Sequence, residues 1–240
     1  MKHEARNIKR DLAGTDVVIL AGGLGTRLRP LVSDRPKVMA EVGGKPFLDR
    51  LIEHLQGVGC GRIILSVGHL KDQIKTHYAG KGIFFAEEEE PLGTGGGVKN
   101  TERLVTSDHF FVMNGDSWLS KSIDLHALHD FHRENDALVT LVLARPRNEK
   151  DYGAVFLGDD KKIHRFNEKA DEHAEHFMNA GVYCMSREVF AHMPVGQFSL
   201  ETDFFPKLVG GAFYGFSVGG ELVDIGTPER YVRANKVFSS

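Results

Sequence analysis

Two sets of residues in this chain are placed to handle phosphate and metal. The first is a glycine turn after an apolar run: Val17-Val18-Ile19-Leu20 breaks into Ala21-Gly22-Gly23-Leu24-Gly25-Thr26-Arg27. Glycines leave the backbone free to approach a ligand and to turn its N–H groups toward an anion. Arg27 adds a planar charge that matches phosphate oxygens. The second set is a pair of aspartates in apolar surroundings. Asp116 closes Asn114-Gly115-Asp116 after a hydrophobic run, and Asp224 sits inside Leu222-Val223-Asp224-Ile225-Gly226. A buried carboxylate needs a partner, because an unpaired buried charge is costly. Together the two could hold Mg²⁺, a hard cation that takes a few carboxylates beside phosphate oxygens and water. Plainer alternatives stay open: a tight strand-to-loop turn at the glycines, an Asx-Gly turn at 114–116, and a loop carboxylate or helix cap at Asp224.

The glycine pattern excludes two common phosphate sites. A P-loop needs Gly-Lys-Ser/Thr after its second glycine, which this stretch lacks. The dinucleotide pattern G-x-G-x-x-G would need glycine where Leu28 stands.

The elements that must position these residues alternate. Runs over 17–20, 62–67, 82–86, 109–113 and 137–143 read as buried strands. Phe47, Leu48, Leu51, Ile52 and Leu55 recur at helical spacing, and helices are expected over 71–78, from the Pro91–Gly97 loop to about 105, and over 125–134. This predicts an α/β fold: a Rossmann-like mixed, mostly parallel sheet flanked by helices, with a more β-rich second half. Ligands of such sheets bind beyond the strand C-terminal ends. The glycine turn, the acidic run Glu87–Glu90 and Asn114-Gly115-Asp116 should therefore gather at one edge. The second half reads as a hairpin over 153–166, a strand over 180–184 and short helices over 187–192 and 204–208; the stretch 213–216 then precedes the apolar stretch 222–226, and a terminal helix runs over 228–237. Thr227 caps that helix and Pro228 takes its first position. Residues 1–15 read as a polar N-terminal extension and 16–240 as a single domain.

Composition narrows the classes. The chain has 240 residues, 41% of them hydrophobic, and a net charge of −3. There is no basic surplus to favour nucleic acid. The two cysteines, Cys60 and Cys184, have neither metal-site spacing nor the density of a disulfide scaffold, and a reducing compartment is expected. The charged N-terminus has no signal-peptide core, and no apolar run reaches membrane-spanning length. These features predict a cytoplasmic protein with no membrane partner. The 12 histidines are scattered. His126, His129 and His132 share one helix face with no carboxylate motif around them, and are expected at the surface. No internal repeat and no hexapeptide-repeat tail is seen.

The glycine stretch resembles the L-A-G-G-x-G-T-R-L-x-P signature of sugar-1-phosphate nucleotidylyltransferases, matching through Leu20–Gly23, Gly25–Leu28 and Pro30. The resemblance implies that Leu20, Ala21, Gly22, Gly23, Gly25 and Thr26, with Arg27, hold a nucleoside triphosphate. Pro36-Lys37-Val38-Met39 resembles the family's P-K-x-M segment, whose lysine contacts the triphosphate; alone, Lys37 is a solvated loop lysine. Pro91-Leu92-Gly93-Thr94-Gly95-Gly96 resembles the P-L-G-T-A/G-G loop, which implies nucleobase contact from Pro91, Gly93 and Thr94. Glu88 precedes that loop. Guanine shows two adjacent donors that one carboxylate can accept, whereas uracil and thymine show one donor between two acceptors. Glu88 thus favours guanine, unless 87–90 is only a solvated acidic face.

Further segments resemble the family's sugar side. Phe166-Asn167-Glu168-Lys169 resembles F-x-E-K, which implies Lys169 on the sugar phosphate and Glu168 on a hydroxyl; otherwise it is a hairpin flank. Asn179-Ala180-Gly181-Val182-Tyr183 resembles N-x-G-x-Y, with Asn179 and Gly181 against the sugar, or else a plain core strand. Ser199-Leu200-Glu201-Thr202-Asp203 resembles S-L-E-x-D, with Glu201 on a sugar hydroxyl, or else a capping box opening the helix at Phe204. The contexts N-G-D and V-D-I-G-T-P resemble the family's metal-carrying motifs. They assign Mg²⁺ to Asp116 and Asp224 and put Asn114 and Gly115 on the sugar-phosphate side.

Within the family, 32–37, 44–48, 66–68 and 198–201 resemble the D-glycero-α-D-manno-heptose 1-phosphate guanylyltransferase group. The implied activity condenses a nucleoside triphosphate, GTP, with a sugar 1-phosphate, the heptose phosphate, for surface polysaccharide precursors. Arg27 and Lys37 would be the catalytic charges. The nucleotide-binding part would span about 16–145 and the sugar-binding part about 146–240. Alternatives are another substrate pair (mannose 1-phosphate with GTP, N-acetylmuramate 1-phosphate with UTP, glucose 1-phosphate with CTP or dTTP) and a non-catalytic sugar-nucleotide sensor. A glycosyltransferase would show D-x-D, and Asp116-Ser117-Trp118 lacks the second aspartate. The partners are then the two substrates and no nucleic acid; a homo-oligomer is left open.

Overall fold

The computed structural model describes residues 11–120, 123–145, 154–167, 176–219 and 221–239. The first half runs β1 (Val17–Leu20), β2 (Glu41–Val42), β3 (Lys45–Pro46), α1 (Phe47–Val58), β4 (Ile63–Val67), α2 (Lys71–His77), β5 (Phe84–Glu87), α3 (Gly93–Asn100), β6 (His109–Asn114), β7 (Ser117–Ser120), α4 (Leu125–Glu134) and β8 (Val139–Ala144). The second half runs β9 (Ala154–Leu157), β10 (Ile163–Asn167), β11 (Phe177–Ser186), α5 (Val189–His192), α6 (Phe205–Leu208), β12 (Phe213–Ser217), β13 (Glu221–Asp224) and α7 (Pro228–Phe238).

The main sheet follows the order β10-β9-β11-β6-β1-β4-β5, with β8 on β11 and β12 on β8. Pairing is parallel at β6-β1-β4-β5 and at β12-β8, and antiparallel where β11 meets β6, β8 and β9. The expected mixed sheet with a β-rich second half is therefore present. Two hydrophobic clusters cover its faces. One gathers Ile19, Leu48, Leu55 and Leu65 with α1; the other gathers Val18, Phe110, Leu141, Tyr183 and Phe205. The neighbours β1, β4 and β6 are near-continuous apolar runs because both faces are covered.

Several boundaries differ from expectation for local reasons. Leu12 is only 1% exposed and belongs to the core, so residues 11–15 are part of the folded body rather than of a polar extension. The third strand begins at Phe84 and includes Glu87, because left-handed Gly82 still belongs to the preceding turn. The glycine-rich stretch expected as a loop is already helical at Gly93, and its helix stops at Asn100 rather than near 105. The strand expected over 180–184 spans Phe177–Ser186, and a π-turn over Leu200–Phe204 precedes α6. β7 was not anticipated; it pairs antiparallel with β13.

His129 and His132 are not surface residues: they are 9% and 0% exposed. His132 Nδ1 meets Thr140 Oγ1 at 2.9 Å and Nε2 meets Ser186 Oγ at 3.2 Å, while the His109 ring packs on both histidines. Burial and the neighbouring histidines lower the His132 pKa to about 3. The helical face carrying these rings is the buried one, which the repetition of polar residue types disguised.

Candidate active site

The strands β1, β4 and β6 are parallel and end at one edge. Ala21 N donates to Ser66 O at 2.8 Å, which keeps the chain on the sheet until the glycines release it. A cavity of about 330 Å³ opens there. Leu20, Ala21, Gly22 and Gly23 form one part of its wall; Glu88, Pro91, Gly93 and Thr94 form another. Lys37, Asn114, Asp116 and the unanticipated Gln197 also line it. The glycine turn and the Pro91–Thr94 segment thus come together as expected.

Lys37 lies on a short 3-10 turn. A Cβ on left-handed Gly25 would stand 3.0 Å from the Lys37 Cβ, so the glycine turn packs directly on the lysine stem. Lys37 Nζ donates to Asp116 Oδ2. Burial pushes the Asp116 carboxyl up, but the Lys37 ammonium and the Ser117 hydroxyl outweigh it and hold the group below the usual carboxylate range.

The acidic run splits by strand alternation. Glu89 faces outward at 87% exposure, paired with Lys71, whereas Glu88 is 9% exposed. The Glu88 carboxylate accepts from Ser66 Oγ at 2.8 Å and from Leu92 N at 3.1 Å. A Cβ on Gly22 would lie 2.6 Å from Glu88 Oε1. Glu88 therefore ties the end of β4, the glycine turn and the start of the Pro91–Thr94 segment together on the cavity wall.

A second cavity of about 310 Å³ adjoins the first, and Thr94, Asn114 and Asp116 line both. The β7–β13 ribbon brings the two aspartates to it: Asp224 pairs with Ser117, and Ile225 N donates to Asp116 O at 3.0 Å. Asp224 is 4% exposed; its Oδ1 accepts from Gly226 N at 2.7 Å and stands 3.6 Å from Arg230 Nη1. Among the described residues no group of three or more His, Cys, Asp or Glu is placed to hold a metal. Asp116 and Asp224 both line the second cavity and offer oxygen donors alone, the donor type that Mg²⁺ takes beside phosphate and water.

Of the residues expected on the sugar side, Asn114, Asn179, Gly181 and Glu201 line this second cavity. Asn179 Oδ1 accepts from Gly181 N at 3.0 Å, and its amide donates to the buried Tyr183 hydroxyl. The Tyr183 hydroxyl donates in turn to Glu201 Oε1 at 3.3 Å; burial and the Glu201 carboxylate push its pKa well up. Glu201 Oε2 accepts from Thr94 Oγ1 at 2.6 Å and Ser199 Oγ at 2.9 Å. The capping alternative is realised, one turn earlier than expected: Ser199 Oγ accepts from Glu201 N and Thr202 N at the start of the π-turn over Leu200–Phe204. Asn114 Oδ1 is buried and accepts no hydrogen bond, which leaves an acceptor on the wall common to both cavities.

Not every expected residue is on these walls. Gly25, Thr26 and Gly115 line neither cavity, and Arg27 lines the second rather than the first. Gly115 serves packing: its N donates to Leu20 O at 3.0 Å, and a Cβ there would sit 2.7 Å from that oxygen. Glu168 and Lys169 lie outside the described residues. Arg230, 12% exposed on the second cavity, was not anticipated. Its position at the first turn of a capped helix reads as a solvated residue in sequence.

Comparisons with known proteins agree with this architecture. The family model described as Nucleotidyl transferase matches residues 16–239. A D-glycero-alpha-D-manno-heptose 1-phosphate guanylyltransferase of Aneurinibacillus thermoaerophilus is 37% identical over 227 residues, covering 92% of this chain and 97% of that protein. A mannose-1-phosphate guanylyltransferase of Mycobacterium tuberculosis is 35% identical over 229 residues, covering 92% of this chain but 63% of that longer protein. The crystal structure of HddC from Yersinia pseudotuberculosis complexed with GMP-PN superposes with a TM-score of 0.78 at 35% identity, covering 93% of this chain and 99% of that one. A match this long to the family model, with relatives this similar along nearly the whole chain, shows that the protein belongs to the nucleotidyl transferase family.

Proposed function

We propose that this protein is a guanylyltransferase that joins GTP to D-glycero-α-D-manno-heptose 1-phosphate, releasing pyrophosphate. The observation that carries the reading is the pair of adjoining cavities with Thr94, Asn114 and Asp116 as common wall. A nucleotide in the first and a sugar phosphate in the second would meet at that wall. The similarity to a heptose 1-phosphate guanylyltransferase over nearly its full length supports the sugar and the base. The buried carboxylate of Glu88 on the nucleotide wall supports guanine.

In the proposed reaction a sugar-phosphate oxygen attacks the α-phosphorus. A new P–O bond forms as the bond to the pyrophosphate oxygen breaks. The nucleophile is already an anion, so no protein base is required. The chain's contribution is positioning and fixed positive charge. Lys37, which lines the first cavity, brings its ammonium to Asp116 on the common wall, and Arg27 and Arg230 bring guanidinium groups to the second cavity. Asp116 and Asp224 would hold Mg²⁺, which when bound neutralises charge on phosphate oxygens. We propose that the reaction takes place in the cytoplasm. Among the described residues no helix is long and apolar enough to cross a membrane.

The test is pyrophosphate release with Mg²⁺, crossing GTP, UTP, CTP, dTTP and ATP with heptose, mannose, glucose and N-acetylmuramate 1-phosphates. Turnover confined to GTP and the heptose phosphate is expected. Turnover with mannose 1-phosphate and GTP alone would keep the base and replace the sugar. Preference for a pyrimidine nucleotide would remove the Glu88 argument.

A further inference from the structure

The nucleotide-side segment 92–96 and the sugar-side segment 196–201 form a single seam, although about a hundred residues separate them in sequence. Phe198 N donates to Leu92 O at 3.0 Å, and Gly95 N and Gly96 N donate back to Phe198 O at 3.0 and 3.2 Å. The glycines exist for this contact. A Cβ on left-handed Gly93 would stand 2.6 Å from Phe198 O; one on Gly95 would overlap the Phe198 ring, and one on Gly96 the Gly196 carbonyl.

Thr94 is the one side chain of 92–96 whose hydroxyl joins the two halves. Leu200 N donates to Thr94 Oγ1 at 2.9 Å, and Thr94 Oγ1 donates to Glu201 Oε2 at 2.6 Å. The hydroxyl has one proton. With the backbone donor fixed on one side and a carboxylate on the other, that proton goes to Glu201 and is not offered to a nucleobase. Glu201 Oε2 thus receives two donors, Thr94 and Ser199, while Oε1 receives only the longer contact from Tyr183. Pinning one carboxylate oxygen leaves the other with acceptor capacity at the second cavity, which Glu201 lines.

We propose that Thr94 is a positioning residue for the sugar side of the site: its hydroxyl orients Glu201 to accept a sugar hydroxyl. The inference rests on the guanylyltransferase reading above. Thr94 stands on the nucleotide segment but acts on the other substrate.

The experiment is steady-state kinetics of Thr94→Val, Thr94→Ser, Glu201→Gln and the Thr94→Val/Glu201→Gln double variant, with thermal melts of each. Valine keeps the shape and removes the hydroxyl. Thr94→Val is expected to raise the sugar-phosphate KM roughly tenfold or more, as for a lost hydrogen bond to a charged group, while the GTP KM stays within about twofold. Thr94→Ser, which keeps the hydroxyl, is expected to behave like the parent. The double variant is expected to be no worse than Glu201→Gln alone, because both changes act through one carboxylate. A rise in the GTP KM instead, an unchanged sugar KM, an equal loss in Thr94→Ser, or additive losses in the double variant would each overturn the inference. A Thr94→Val protein that does not fold would make Thr94 part of the scaffold and overturn it too. A folded parent protein inactive with every substrate pair would overturn the guanylyltransferase reading and this inference together; an active parent with an unaffected Thr94→Val overturns this inference alone.

Discussion

Replacing Gly181 by alanine probes the second cavity without touching a charge. Gly181 sits within β11 at φ +70°, where the pairing with β8 shifts register between Asn179 and Tyr183. Two costs follow. An L-residue in the left-handed region loses about 1–2 kcal/mol. The new Cβ would also lie 2.6 Å from Asn114 Nδ2, and forcing a side chain aside in a packed region costs about 1–3 kcal/mol. Together these give roughly 2–5 kcal/mol, which lowers the melting temperature of a chain this size by roughly 4–20 °C. Gly44 supplies the control: its φ is +75°, but a Cβ there meets nothing within 4 Å. Gly44→Ala should therefore show the backbone cost alone, roughly 2–8 °C by the same conversion. Asn114 lies on both cavities, so Gly181→Ala should also lower kcat/KM for both substrates well below its melting range, and Gly44→Ala should not. The assay is a thermal melt and pyrophosphate release on the two variants side by side. Equal melting temperatures for them would refute the steric argument, and a Gly181→Ala protein as stable as the parent would refute the backbone argument as well.

Asp116→Asn and Asp224→Asn are each expected to lower kcat by about a hundredfold or more, as for loss of one preorganised charge; near-normal turnover in both would remove the Mg²⁺ assignment. Arg230→Met is expected to lower kcat/KM for the sugar phosphate by roughly tenfold or more, with the GTP KM little changed; an effect confined to GTP would place Arg230 on the other substrate. Stability should also depend on pH through His132. Its pKa falls from an ordinary 6.5 to about 3 in the folded protein, so between those values the unfolded chain binds more protons. Its stabilisation is complete above about 6.5 and declines as the pH falls toward 3, by about 2 kcal/mol at pH 5. Melts at pH 7.5 and pH 5 should show a smaller difference in His132→Gln; an unchanged difference would mean that His132 does not carry the effect.

Much of the sheet was legible because β1, β4, β6 and β8 are continuous apolar runs and α1 and α4 have clear helical spacing. The elements that escaped notice are those whose signal is not local. β7 has only Ser117-Trp118-Leu119-Ser120 to announce it, and its reason for being a strand is β13, about a hundred residues away. The buried histidines of α4 escaped because His132 satisfies both ring nitrogens with Thr140 and Ser186, hydroxyls that the sequence does not bring near it.

The candidate site divides along the same line. Residues that stand where the chain leaves a strand, such as Leu20–Gly23 and Asp116, were readable because strand ends set their edge, whereas Lys37, on a 3-10 turn, was readable only through the P-K-x-M resemblance. Others acquire their place from a distant partner. Arg230 becomes a cavity residue only because α7 follows β13 and β13 pairs with β7. The glycines of Gly93-Thr94-Gly95-Gly96 show how a correct motif can carry an incomplete reason. Read alone, they suggest backbone opened for a nucleobase. In the structure a Cβ at Gly93, Gly95 or Gly96 would meet protein at 196–198 before it met any ligand. Their absence of side chains lets the two halves of the chain approach closely enough for one threonine hydroxyl to reach a carboxylate on the other side. The glycines thus shape the second cavity as much as the first. Substitutions at Phe198 or Gly196 should accordingly disturb both substrates, even though neither residue lines either cavity.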